Sequence, residues 1–268
     1  MEEIKYIGIF DSGKGGLSIL STLSARFPTE SFAYIADTAH VPYGGRSAEL
    51  VINYTLMSVR SLLKRVNLKF LIIACNTSTA HSLSIIRKVL RIPVLGIIQP
   101  IIESFCNYVK ICNEQSVLIL GTQSTIKSGI YETLLKRYGF KGQIKLQSCP
   151  LLVALIEEGV YNGPLLRQAV KYYLRNLNEN IRIVILACTH YPLILKLFEN
   201  ESLDKISVKW IDGRDELVKI FAKISKQTLL SYEKNKRDCF FSTDLSRKFL
   251  RTSLKLVKRL DLSEITQI

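Results

Sequence analysis

Val184-Ile185-Leu186-Ala187-Cys188-Thr189-His190 ends an apolar run with Ala-Cys and two polar residues, and Leu71-Ile72-Ile73-Ala74-Cys75-Asn76-Thr77 does the same earlier in the chain. A short run rich in Ile, Val and Leu that stops at small polar residues reads as a buried strand opening onto a turn. A second echo precedes each: Gly8-Ile9-Phe10-Asp11-Ser12-Gly13 and Leu120-Gly121-Thr122-Gln123-Ser124-Thr125 are both strand-to-helix turns of small polar residues. Asp11 lies 64 residues before Cys75, and Ser124 lies 64 before Cys188. This repetition predicts an α/β fold of two similar lobes with mainly parallel sheets. Such folds bind ligands at the C-terminal ends of their strands, so lobes facing each other across an active-site cleft would bring the two cysteines together.

Outward from these segments, apolar runs alternate with stretches of helical period, the pattern of parallel strands joined through helices. Strands are expected at 5–10, 31–36, 69–75, 93–97, 116–121, 143–148, 181–187, 207–211 and 239–242. Helices are expected near 15–26, 47–65, 79–91, 100–112, 124–138, 164–177, 213–230 and 244–259. No linker, low-complexity tract or charge block separates independent domains.

The 268 residues are 47% hydrophobic and 22% charged, ample for a large core and unlike a disordered chain. The acidic start, Met1-Glu2-Glu3, runs directly into an apolar strand without a basic export region, and no apolar run approaches the ~20 residues that span a bilayer, so a cytoplasmic protein without membrane partners is expected. Six scattered cysteines (75, 106, 112, 149, 188, 239) without Cys-x-x-Cys spacing read as free thiols. The net charge of +14 would suit acidic small molecules or hold nucleic acid nonspecifically, but the basic residues are spread along the chain, as on a solvated surface.

The chemistry-bearing segments lie at turns. Phe10-Asp11-Ser12-Gly13-Lys14-Gly15-Gly16 allows close backbone approach before a helix N-terminus. Gly8 to Lys14 fits G-x-x-x-x-G-K, but Gly15 stands where a phosphate loop needs Ser or Thr, and Asp11 would repel phosphate. A dinucleotide fingerprint fails at Ser18. The loop Ala36-Asp37-Thr38-Ala39-His40-Val41-Pro42-Tyr43-Gly44-Gly45-Arg46 could present Tyr43 and backbone amides to a ligand or be a plain connector. Cys75 sits beside the donors Asn76, Thr77 and Ser78 at a helix start, which can lower a thiol pKa, although lone buried cysteines are usually inert. Cys188 has His190 two residues on. Zinc ligation lacks a matching second ligand pair, whereas a Cys–His nucleophile stays open and would leave Cys75 without a role.

Together these segments resemble a known family. Gly8-Ile-Phe-Asp-Ser-Gly-Lys-Gly-Gly-Leu17, Val41-Pro-Tyr-Gly44, Ala74-Cys-Asn-Thr-Ser-Thr-Ala80 and Ala187-Cys-Thr-His-Tyr-Pro-Leu193 are similar to the signature segments of bacterial glutamate racemases, in the family's order and spacing. Cys149-Pro150, Ile156-Glu157-Glu158-Gly159 and Ile211-Asp212 extend the match over nearly the whole chain.

The resemblance implies a first lobe of residues 1–97 plus 208–268 and a second of 98–207, with glutamate between them and no pyridoxal phosphate, metal or nucleotide in turnover. It implies Cys75 and Cys188 as the two acid/base residues, Asp11 assisting Cys75, and His190 supported by Glu157 assisting Cys188. Asp11, Ser12, Pro42, Tyr43, Gly44, Asn76, Thr77, Thr125, Thr189 and His190 fall where the family holds substrate. It further implies D-glutamate supply for peptidoglycan, and a homodimer is compatible with it.

The implied chemistry is self-consistent, because inverting a carbon needs two bases on opposite faces in opposite protonation states. Departures are His40 where Arg is frequent, Gln99 where a charged residue is common, and Ala187 in place of Gly. The rivals are an aspartate racemase of the same superfamily and a nonenzymatic nucleic-acid-associated protein.

Overall fold

The computed structural model of the chain describes residues 4–112, 116–178, 180–202, 207–227, 237–246, 249, 253 and 265–268. Two parallel sheets carry the architecture. The first has strand order β10 (Ile265–Gln267), β9 (Cys239–Ser242), β2 (Phe32–Ala36), β1 (Lys5–Asp11), β3 (Asn67–Ile73) and β4 (Val94–Gly96). The second runs β6 (Gln143–Ser148), β5 (Ser116–Gly121), β7 (Ile183–Ala187) and β8 (Lys209–Ile211). β1 and β5 are the central strands that precede the two predicted turns. Each pairs directly with the strand that delivers its cysteine: Phe10 lies opposite Ile73, and Gly121 opposite Ala187. The parallel register therefore aligns each turn with a cysteine at the same end of its sheet.

Full burial explains the continuous apolar strands. Every residue of β2, β5 and β7 is buried, as parallel strands covered on both faces must be. One hydrophobic cluster joins the lobes. Ile98, Ile101, Ile102 and Phe105 of helix α4 (Ile98–Cys112) pack with Ile7 and Phe70 of the first sheet and with Val117, Ile119, Ile183 and Ile185 of the second. Helix α10 (Arg214–Gln227) lies across α4 and α1 (Leu17–Arg26), inserting Leu217 and Phe221 into the same cluster.

Several elements differ from expectation. The stretch 124–138 is two helices, α5 (Gln123–Lys127) and α6 (Ile130–Arg137), broken at Gly129, whose φ of +67° is a left-handed conformation that glycine adopts freely. Helix α3 (Asn76–Val89) starts directly after Cys75 rather than at 79. Helices α7 (Pro150–Glu157) and α9 (Leu195–Ser202) and strand β10 have no counterpart in the sequence reading. Strand β8 pairs with β7, so the second sheet extends through Ile211, past residue 207 where the second lobe is expected to end. The expected helix at 244–259 lies largely outside the described residues. Helices α2 (Ala48–Leu63), capped by Ser47 accepting from the Leu50 N–H, and α8 (Pro164–Tyr173) complete the described set. Among the described residues, no helix is long and apolar enough to cross a membrane.

Where the chain enters α10, Gly213 has φ +76° and its Cα faces α4; a Cβ there would come within 2.8 Å of the Ile101 backbone nitrogen. Gly213→Ala combines left-handed strain with a backbone clash, and urea unfolding should report a loss of about 1–3 kcal/mol. Gly129→Ala has the same sign of φ but open space around it, so its loss should be smaller.

Candidate active site

Cys75 is the residue preceding α3, with extended backbone (φ −63°, ψ 123°), and is held in the seam between β3 and β1 by the Ala74 N–H to Phe10 carbonyl bond at 2.8 Å. Its buried thiol lies 3.4 Å from Ser12 Oγ. Burial, and then the neighbouring Asp11 carboxylate, push the Cys75 thiol pKa up, outweighing hydrogen bonds from Ser12 and Ser78. Sequence reading placed the emphasis on donors that lower a thiol pKa; in the folded protein desolvation is the larger effect.

Asp11 ends β1 and is fully buried. Its carboxylate accepts from the N–H groups of Gly13 at 3.2 Å and Gly16 at 3.1 Å. The Thr189 hydroxyl of the other lobe donates to it at 3.2 Å. Gly16 packs on the Asp11 side chain so closely that a Cβ would collide with it, which explains a glycine here without any phosphate ligand. Burial raises the Asp11 pKa to about 6, with His190 and the two amides working in the opposite direction.

Cys188 follows β7, and its buried thiol lies 3.6 Å from His190 Nδ1. His190 Nε2 makes a short hydrogen bond to Glu157 Oε1, at the end of α7. Burial alone would depress the imidazolium, but the hydrogen bonds to Cys188 and Glu157 and the Glu157 charge hold its pKa well above the ordinary value. Burial acts in the opposite direction on Glu157, raising its pKa, but the group ends below its ordinary value because His190 and Lys14 stabilise its charge. The result is an imidazole that bridges a thiol and a carboxylate.

Hydroxyl and amide donors collect beside the thiols. Thr77 Oγ1 lies 2.9 Å from Thr122 Oγ1 and 3.0 Å from Thr125 Oγ1, joining α3 of one lobe to the start of α5 of the other. Asn76 Oδ1 accepts from the Tyr131 hydroxyl at 2.6 Å, which leaves its amide hydrogens as donors. Pro42 precedes a short 3-10 helix, Tyr43–Gly45, after a cis Val41–Pro42 bond. Tyr43 is buried and its hydroxyl donates to Asp37 at 2.5 Å, so its phenol is an internal anchor. Gly44 abuts Thr122 with no room for a side chain, which closes this turn onto α5. Pro42 itself is exposed.

Asp11, Ser12, Cys75, Glu157, Cys188, Thr189 and His190 thus form one contact network, with Asn76, Thr77, Thr125, Tyr43 and Gly44 against its rim. Sequence reading missed Lys14, Thr122 and Tyr131. Thr122 had a legible signal as the cap of α5, accepting from the Thr125 N–H at 3.2 Å. Lys14 was weighed only as a phosphate-loop lysine. Of the other thiols, Cys106, Cys149 and Cys239 are free, and burial raises that of Cys149 strongly. Two hollows lie outside this network: one of about 700 Å³ between α3, α4 and α6, and one of about 430 Å³ over the Gly44–Ser124 seam.

Paired lobes with a cysteine at each matching strand end define a two-lobed α/β enzyme. The sequence profile of the Asp/Glu/hydantoin racemase family matches residues 19–220, and the chain belongs to this family. The glutamate racemase of Geobacter metallireducens is 34% identical over 250 residues, covering 92% of this chain and 90% of that protein. That of Aquifex aeolicus is 37% identical over 72% of this chain and 74% of its own length. The crystal structure of glutamate racemase from Francisella tularensis in complex with D-glutamate superposes with a TM-score of 0.88 at 30% identity, covering 98% of this chain and 97% of that one.

The raised pKa of Asp11 has a consequence for stability. The folded state binds this proton more tightly than the unfolded chain, whose carboxylate has the ordinary value of 3.8. Stability from this group is therefore largest below pH 3.8 and is lost as pH rises to about 6. Asn cannot ionise, so the unfolding free energy of wild type relative to Asp11→Asn should fall by about 2–3 kcal/mol between pH 4 and pH 8. Urea unfolding of both proteins across that range checks it; a pH-independent difference would contradict the assignment.

Proposed function

We propose that the protein is a glutamate racemase that interconverts L- and D-glutamate by two-thiol proton transfer, without pyridoxal phosphate, metal or nucleotide. The observation that carries this reading is the inter-lobe link from Cys75 through Ser12, Asp11 and Thr189 to the Cys188 loop. A lone Cys–His nucleophile gives no reason for a second buried thiol tied into the same network.

In this mechanism Cys75 removes the α-proton of D-glutamate and Cys188 delivers one to the opposite face; the reverse reaction exchanges the roles. The asymmetry of the two sides supports it. Cys75 has Ser12 and Asp11 beside it, whereas Cys188 has His190 backed by Glu157. Each sulfur thus has its own acid–base neighbour, and inversion requires the two sulfurs to act in opposite protonation states. Asp11 assists Cys75, and His190, backed by Glu157, assists Cys188. Asn76, Thr77, Thr125 and Thr189 supply hydrogen-bonding groups for the amino and carboxylate groups. Ser12, Pro42, Tyr43 and Gly44 complete the substrate contacts, Tyr43 through its main chain because its hydroxyl is committed to Asp37. In a desolvated pocket, donors aimed at the substrate carboxylate supply the carbanion stabilisation that no cofactor provides.

The lobe division, 1–97 with 208–268 and 98–207, belongs to the same reading, adjusted by the pairing of 209–211 with the second sheet. So do a cytoplasmic location, D-glutamate supply for peptidoglycan, compatibility with a homodimer, and a basic surface that is no device for binding nucleic acid.

Circular dichroism of the purified protein with each enantiomer of glutamate and aspartate should show turnover of glutamate alone, unaffected by chelator. Cys75→Ser and Cys188→Ser should each abolish racemisation. With analogues carrying a leaving group at the β-carbon, elimination needs only one base. Cys188→Ser should then keep elimination from the D-analogue and Cys75→Ser from the L-analogue. Equal loss in both variants for both enantiomers would favour a single Cys–His site.

A further inference from the structure

The loop that supplies Asp11 also carries a lysine for which the two-thiol scheme has no role. Lys14 has only 1% of its surface exposed, an unusual position for a residue that normally keeps its ammonium in water. Three of its polar contacts reach one residue of the other lobe. Its Nζ donates to the main-chain oxygen of Glu157 at 2.8 Å and lies 3.5 Å from Glu157 Oε2, and its backbone N–H donates to Oε1 at 3.3 Å.

Glu157 is the last residue of α7, so its carbonyl is among those left without an intrahelical partner, where a cation is favoured. The same carboxylate is divided between two cations: Oε2 faces Lys14 and Oε1 bonds His190 Nε2. Gly13 completes the seat, since any side chain there would run into Oε1.

A partly buried carboxylate bonded on one edge only can rotate about its last torsion and lose its partner. Anchored at its main-chain oxygen and at its second carboxylate oxygen, Glu157 has one orientation left, and that orientation fixes the imidazole against Cys188. Resting on the reading given above, we propose that Lys14 is a positioning residue that reaches from the Cys75 lobe to hold Glu157 in register with His190, and so prepares Cys188, not Cys75, for proton transfer. The contact also makes this preparation conditional on the lobes being together, because its two halves lie in different lobes. On the Cys75 side the neighbouring groups are Ser12, beside the thiol, and Asp11, held by the Gly13 and Gly16 amides.

The test uses the full chain and both enantiomers of the β-leaving-group analogue. Glutamate turnover by the unmodified protein is measured first; its absence removes the racemase reading and this one with it. Lys14→Gln keeps a donor for the Glu157 carbonyl and loses the charge. It should lower elimination from the L-analogue about tenfold and leave that from the D-analogue within about twofold, the size expected when one acid–base group is misaligned. In a Glu157→Gln background, Lys14→Gln should add nothing further, because the pair acts as a unit. Lys14→Arg, which preserves the charge, should keep the wild-type L-to-D ratio within about twofold, and it gives the answer if the Gln variant does not fold. In an active enzyme, an equal fall for both enantiomers, additivity with Glu157→Gln, or a shifted ratio in the Arg variant overturns the proposal: Lys14 would then only tie the lobes together.

Discussion

The structure turns on a carboxylate placed where water cannot reach it. Asp11 is fully buried at the end of the central strand of one sheet, and it is satisfied by two amides of its own turn and by a threonine from the other lobe. A buried ionisable group must find partners or neutralise, and here one of the partners must come from across the cleft. That requirement ties the geometry of the Asp11 loop to that of the Cys188 loop. It also explains the glycines around Asp11, which let the chain fold back far enough for its amides to point at the carboxylate.

Charge is concentrated in the same seam. Asp11 and Glu157 face His190 and Lys14 in a region with little solvent, where burial first and the neighbouring charges second move the pKa values of Asp11, Glu157 and His190 away from their ordinary values. Such an arrangement costs stability, since removing charges from water is only partly offset by pairing them. The hydrophobic cluster running through α4 and α10 into both sheets is what the fold sets against that cost. The apolar continuity of α4 between lobes and the polar contacts at the cleft are complementary: the first keeps the lobes associated, and the second sets how their loops meet.

Both sheets deliver their cysteines by the same device, a buried parallel strand beside the strand that carries the polar turn. Yet the surroundings of the two thiols differ. Cys75 has a hydroxyl and a carboxylate nearby, and Cys188 has an imidazole backed by a second carboxylate. A repeated scaffold with unlike neighbours is suited to a reaction whose two faces perform opposite steps.

Much of this was legible in the residues. The central strands are continuous apolar runs, long enough to be distinguished from their surroundings, and the paired Ala-Cys ends at equal spacing announced two lobes and two thiols. Elements lacking that contrast were not legible. Pro150-Leu-Leu-Val-Ala-Leu-Ile-Glu157 is apolar all round and only two turns long, so it shows no helical period, and β10 is a three-residue strand, too short to show an alternation. A glycine inside a helical pattern can be tolerated, and only the positive φ at Gly129 reveals that it ends one helix and starts another. Residue types and spacing determined which groups could do chemistry, because those are local properties of the chain. Which way burial moves Cys75, that Tyr43 spends its hydroxyl on Asp37, and that Lys14 meets Glu157 from 143 residues away were decided by tertiary structure alone. Desolvation and pairing depend on what surrounds a group in space, and nothing in the order of the residues encodes that directly.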